Sequence, residues 1–247
     1  MVDLKWSVHG KITRLLTIKY GVPKNIADEI VEGSILPDKQ PEYYYSGRKR
    51  YRVAHHSKMG LDRGISHLKT ARKLYKKGNP KWTIHLGMAL HYLQDYPVPI
   101  TRKILKIFSI KDYEMHKKIE EEVERLYVDV DNNVEKAKGK CVRLILKELA
   151  RAKKGKTPKE VLDLATYYSA LAMELVLNPK KCPDSGKILL RGFALRAVTI
   201  STALVMFYLA YIGSINPLYF LISLIPPVVI EAVDDDFKYA LSEHFLV

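Results

Sequence analysis

The chain has 247 residues, and its 41 Lys and Arg outnumber 27 Asp and Glu to give a formal net charge of +14 at pH 7. A chain of this length buries a full core as one large domain or as one domain with an appendage, and a strongly positive field favours phosphate-bearing partners while saying nothing of fold. Two cysteines, Cys141 and Cys182, are too few for a disulfide framework and form no CxxC knuckle, so a reducing compartment is expected.

The opening stretch MVDLKWSVHGKITRLL has no continuous apolar core, so no signal peptide is expected. From residue 10 to residue 178 the apolar positions recur with helical periodicity, and almost no stretch alternates as a half-buried strand does. The expected class is all-α. The pattern predicts helices at 10–20, 24–33, 57–78, 80–95, 110–130, 133–154 and 158–177. Asn79-Pro80 and Thr157-Pro158-Lys159-Glu160 supply start signals, the latter with the form of a capping box and a proline at the first helical position. Residues 34–54, SILPDKQPEYYYSGRKRYRVA, interrupt the periodicity at Pro37, Pro41 and Gly47 and are expected to form a loop.

The last sixty residues differ in kind. Residues 197–213 and 217–230 are uncharged runs separated by Asn216-Pro217, each near the lower limit of about 17 residues for a tilted spanning helix. Lys180, Lys181, Lys187, Arg191 and Arg196 precede the first run, which under the positive-inside rule leaves that end in the cytoplasm. A membrane hairpin or in-plane anchor over 197–233 is the favoured expectation, against a pair of buried core helices. Pro226-Pro227 and Asp234-Asp235-Asp236 are the features that argue against spanning. The expected domains are 1–190 and 191–247.

The helix at 80–95 ends HYLQDYPVP. His91 and Asp95 lie four residues apart and share a face, and Pro97 and Pro99 cannot continue the helix, so the pair occupies its last turn. His116 and Glu120 repeat the spacing on the next long helix. An imidazole and a carboxylate one turn apart suit zinc or a similar divalent ion, and two such helices side by side would build a cluster. The competing reading of His116 and Glu120 is a solvated face, since MHKKIEEEVER is heavily charged. Upstream stand His55-His56, Asp38 in the turn SILPD, and Trp6 with His9: imidazoles to hold ions, and carboxylates to bridge them or orient a water. His67 and His85 read as surface or packing residues, Trp82 as core, and His244 has no partner in sequence. Tyr43, Tyr44 and Tyr45 with Arg48, Lys49, Arg50 and Arg52 are candidates to stack on and neutralise a phosphate-bearing substrate, or to grip headgroups at a membrane surface.

The order Trp6, His9, ILPD at Asp38, His55-His56, His91-x3-Asp95 with Pro99, then His116-x3-Glu120 resembles the zinc-dependent phospholipase C family and its relatives, the single-strand-specific zinc nucleases. The resemblance covers ordered motifs over residues 6 to 120; residues 121–190 agree only as generic helices, and nothing past 190 has a counterpart. It implies an all-α fold in which one to three zinc ions cleave phosphodiesters. His91, Asp95 and one of His55 or His56 would hold the first ion and His116 with Glu120 the second. His9, Asp95 and the tryptophan would hold the third, with Asp38 as bridging carboxylate or general base. Two positions depart from the family pattern. Thr101 stands where D-x3-P-x-H has its histidine, and Trp6 lies inside the chain where the family uses an N-terminal tryptophan. The function implied is a phospholipase C-like phosphodiesterase acting on phospholipid headgroups or related phosphoesters from the cytoplasmic face of the membrane. A single-strand nuclease and a non-enzymatic, membrane-anchored scaffold with a depleted metal site are the alternatives.

Overall fold

The computed structural model of the chain describes residues 6–104, 108–214, 216, 219, 223 and 234–247, with the backbone alone for 101–104, 108–111 and 113. The described chain is predominantly helical, as expected for an all-α protein. It divides into two compact units, Met1–Lys180 and Lys181–Val247.

In the first unit the central element is α5, Trp82–Asp95, which packs against α4 (Lys58–Lys76), α2 (Lys24–Gly33) and α9 (Pro158–Leu177). Leu86, Ala89, Leu90, Tyr92 and Leu93 on α5 are fully buried, so this helix is apolar around most of its circumference and covered from several sides. Two glycines set the α2–α5 crossing. A Cβ on Gly87 would lie 2.3 Å from the Ile30 carbonyl oxygen and one on Gly33 would lie 2.8 Å from that of Ile84. Only glycine permits so close a backbone approach, and one turn beyond Gly87 comes His91. Around this core lie α1 (Trp6–Lys19), the short α3 (Leu36–Lys39) and α6 (Tyr113–Arg125).

Three sequence expectations are corrected. The loop expected at 34–54 contains α3 and an antiparallel hairpin, β1 (Tyr43–Ser46) and β2 (Lys49–Arg52), turning at Gly47 with φ +59°. Tyrosines at consecutive positions favour a pleated strand more than the flanking prolines disfavour it. A second hairpin, β3 (Thr101–Ile104) with β4 (Phe108–Lys111), precedes α6 and shortens the helix expected at 110–130. The helix expected at 133–154 is two: α7 (Asp131–Ala137) and α8 (Val142–Ala150), parted where Gly139 takes φ +77° and gives its N–H to Glu174 Oε1 at 2.8 Å. At 157 the N-cap half of the capping box forms, and the returning Glu160 carboxylate bonds one residue before the cap. Thr157 Oγ1 accepts from the Glu160 N–H at 3.2 Å, while Glu160 Oε2 accepts from the N–H of Lys156 at 2.8 Å.

The second unit is built on α10, Ser185–Tyr211, and the C-terminal helix Asp235–Leu246. Gly192 leaves room for the Phe237 ring, whose Cδ2 would lie 2.0 Å from a Cβ at that position. Arg196 lies 3.8 Å over the same ring and pairs with Asp234 at 3.1 Å. α10 is long and apolar enough to cross a membrane, yet only 6% of its most apolar stretch is buried. Leu190, Val198, Leu204, Val205 and Tyr208 are each more than half exposed, so the run beginning at 197 is not core. The second run, 217–230 with Pro226-Pro227, falls outside the described residues apart from Tyr219 and Ser223. Neither cysteine is a free thiol, which removes the argument from cysteine usage for a reducing compartment.

Candidate metal centre

His91 and Asp95 end α5, as the i, i+4 spacing predicts, and both are fully buried. The α2–α5 crossing brings the Ser34 carbonyl oxygen to 2.9 Å from His91 Nδ1. A carbonyl only accepts, so Nδ1 carries the hydrogen and His91 Nε2 presents its lone pair to the interior. There it meets His55 Nδ1 at 2.9 Å, Asp95 Oδ2 at 3.2 Å and Asp38 Oδ1 at 3.7 Å. His55 Nδ1 is also 3.2 Å from Asp95 Oδ2 and 3.5 Å from Asp38 Oδ1.

The same orientation recurs around the site. His9 on α1 gives Nδ1–H to Gln94 Oε1 at 2.7 Å and turns Nε2 toward Asp95 Oδ1 at 3.3 Å. His56 gives Nδ1–H to the Asp95 carbonyl oxygen at 2.7 Å, and His116 gives Nδ1–H to that of Pro99 at 3.2 Å while its Nε2 lies 3.2 Å from Glu120 Oε1. In metal-binding histidines the ring nitrogen away from the ion is held this way by an acceptor, which fixes the tautomer and the ring direction. Four imidazoles held alike, beside two carboxylates at most 1% exposed, form a donor set that calls for positive charge at its centre.

The electrostatics express the same demand. Burial pulls the His91 imidazole down to about 3, so it is neutral as a metal ligand must be. Burial alone would raise the Asp95 carboxyl, but the charge of His9 and the hydrogen bonds from His55 and His9 outweigh it and hold the group well below the usual carboxylate range. Burial likewise opposes the charged form of His9, and the Asp95 carboxylate overrides it to raise that imidazole.

Ligand-type atoms converge in three sets, each within 4.8 Å: His9, Asp38 and His91; His55, His91 and Asp95; His56, His116 and Glu120. Every histidine and carboxylate expected as a metal ligand is therefore in one of these sets, and so is Asp38. The open choice between His55 and His56 resolves by geometry, His55 joining His91 and Asp95, and His56 joining His116 and Glu120. The solvated-face reading of the latter two is overturned, since His116 is 3% and Glu120 1% exposed. Trp6 is corrected too: it is 51% exposed, with Lys39 Nζ 5.3 Å from its ring, and takes no part in the described cluster. The side chain of Thr101 lies outside the described residues; its backbone opens β3, paired with Lys111. Tyr44, Tyr45 and Arg48 stand on the β1–β2 hairpin and are not brought into the cluster.

Two features of the site carry no metal-ligand signature in sequence. Gln94 is fully buried, holding His9 through Oε1 and donating from Nε2 to Thr13 Oγ1 at 3.3 Å. Lys154 lies in the loop after α8, not in the helix expected there. Its Nζ donates to the carbonyl oxygens of His56, Tyr96 and, at 3.2 Å, Val98, while the next N–H, of Gly155, donates to Pro97 O at 2.8 Å. Carbonyls at the end of α5 have no helical donors because Pro97 and Pro99 stop the helix, and Lys154-Gly155 supplies them. The ammonium also lies where the helix dipole favours a cation, although burial pulls its pKa down to about 7 against the pull of Asp95. The signal that finds it is the proline pair, which leaves carbonyls that some distant donor must meet.

His67 and His85, expected as surface or packing residues, form a relay behind the site. Tyr92 OH donates to Glu42 Oε2 at 2.8 Å, His67 Nε2–H donates to the same oxygen at 2.9 Å, and the Nδ1 atoms of His67 and His85 lie 3.0 Å apart. The Tyr92 ring stands edge-on to His55 with centroids 5.1 Å apart. Trp82 is half-buried, its ring edge-on to Tyr75 at 4.9 Å, and His244 is exposed in the second unit.

No protein-family model, no curated protein and no solved structure matches this chain.

Proposed function

We propose that the chain is a zinc-dependent phosphodiester hydrolase of phospholipase C type, acting on phospholipid headgroups or related phosphoesters next to a membrane. The observation that carries this reading is the common orientation of His9, His56, His91 and His116, each with Nδ1 on an acceptor and Nε2 turned inward. Residues able to hold ions are His55, His91 and Asp95 in one set and His56, His116 and Glu120 in another, with His9 and Asp38 beside the first. Divalent ions bound there would polarise a phosphoryl group and lower the pKa of water. Asp38 has the most exposed carboxylate of the cluster, its side chain 9% exposed against 0% for Asp95 and 1% for Glu120. It is the carboxylate that solvent and substrate reach first, and it takes the proton from the attacking water. His55 Nδ1 and His91 Nε2 face its Oδ1 at 3.5 and 3.7 Å. The exposed apolar α10 supports attachment to a bilayer, and the lysines and arginines that precede and open it favour the cytoplasmic side for the first unit.

The test is hydrolysis of choline and glycerol phosphoesters by zinc-loaded protein, with single-stranded DNA at low salt as the competing substrate. Asp38→Asn is expected to keep its metal and lose roughly 100-fold or more in kcat, and Asp95→Ala to lose both metal and activity. A fully active Asp95→Ala variant would sink the reading. Turnover of DNA alone would move the substrate class to nucleic acid, and metal-dependent stability without any turnover would make the chain a scaffold.

A further inference from the structure

The β1–β2 hairpin carries Arg48, Lys49, Arg50 and Arg52 and no carboxylate between residues 43 and 52. Every residue of β2 is exposed, and within β1 only Tyr44 is half-buried. The register pairs Tyr43 with Arg52 and Tyr45 with Arg50, so these four side chains share one face, and the Arg50 guanidinium lies 3.6 Å from the Tyr43 ring centroid. Tyr44 and Tyr51 stack on the opposite face with centroids 5.5 Å apart. Guarding a sheet edge from pairing with other chains accounts for the cations alone. It does not account for a solvent-facing surface in which arginines alternate with tyrosines 40% and 73% exposed. Such amphipathic rings fit a medium that is apolar at one depth and wet at another, with phosphates between.

We propose that the face formed by Tyr43, Tyr45, Arg50 and Arg52 docks on the anionic headgroup layer of a bilayer. This rests on the membrane attachment proposed above. A chain tethered through α10 holds its remaining surfaces at high effective concentration near headgroups, which makes the bilayer the occupant favoured for a basic aromatic face. The cations neutralise lipid phosphates and carboxylates, and the tyrosines sit at headgroup level.

The test uses the full chain in vesicles of neutral phosphatidylcholine, and in vesicles that also contain phosphatidylserine, and reads amide hydrogen exchange over residues 43–52. Slower exchange is expected in the anionic vesicles only. It should vanish at high salt and in the double variant Arg50→Gln, Arg52→Gln, for which headgroup affinity should fall roughly 30-fold. Exchange that is equal in the two vesicles, or protection that the double variant keeps, overturns the assignment. Protection produced only by an added oligonucleotide overturns it in favour of nucleic acid. Flotation with the neutral vesicles reads α10 separately, so a chain that fails to float counts against the tether and not against the hairpin.

Discussion

Gln94→Leu is the sharpest perturbation of the metal-site account, because it touches no proposed ligand atom. The side chain is fully buried, and its Oε1 is the acceptor that holds His9 Nδ1–H at 2.7 Å. Leucine has similar bulk and leaves that N–H buried without its acceptor, which costs about 1–3 kcal/mol. The imidazole escapes part of the cost by turning or changing tautomer, and either movement takes Nε2 away from the cluster. Loss of such a supporting acceptor lowers metal affinity by about 10–100-fold, which is about 1.4–2.8 kcal/mol and agrees with the cost of the unmet N–H. The assay is competition for zinc against a chelator of known affinity, run beside circular dichroism to confirm the fold. Gln94→Glu retains an acceptor and should recover affinity to within a few fold of wild type. If Gln94→Leu folded and held zinc as tightly as wild type, the view that His9 is positioned for an ion would be wrong.

Three further outcomes follow from the same geometry. Lys154→Met leaves the carbonyls of His56, Tyr96 and Val98 without their shared donor; a loss of about 2–4 kcal/mol should lower Tm by roughly 4–16 °C in a thermal melt, with Lys154→Arg less affected. Gly87→Ala puts a Cβ 2.3 Å from the Ile30 carbonyl oxygen and should abolish soluble folded protein, whereas Gly10→Ala, whose Cβ would meet only Val31 Cγ1 at 3.7 Å, should leave Tm unchanged or raised. Glu42 has its pKa lowered because His67 and Tyr92 outweigh the opposing effect of burial. A lowered carboxyl adds stability above its unfolded pKa and loses it as pH falls through the folded one. The Tm gap between wild type and Glu42→Gln should therefore be widest near neutral pH and shrink below the ordinary carboxylate range; a gap that grows on acidification would contradict the assignment.

What the sequence made legible was the chemistry that local spacing enforces. His91-x3-Asp95 and His116-x3-Glu120 must share helix faces, and the proline pair after Asp95 must end the helix, so both ligand pairs could be placed before their surroundings were known. The partners that orient them come from distant segments: Ser34 through a close helix crossing, and Lys154 from a loop that periodicity assigned to a helix. Those contacts depend on tertiary packing, which no local window carries. The hairpin at 43–52 was hidden by the prolines before it and the glycine within it, although its consecutive tyrosines favoured a strand. For α10, composition established apolarity and could not say whether that surface was covered; the structure leaves it open.

Elemental analysis of metal per chain, on protein expressed with adequate zinc and purified without added metal, tests the central claim most directly. Two separate ligand triads predict at least two zinc equivalents in wild type, falling in His91→Ala, whose imidazole belongs to the His55 and Asp95 set. A folded wild-type chain carrying less than one equivalent of any divalent metal would contradict the account and leave the inward-facing imidazoles as a hydrogen-bonded core.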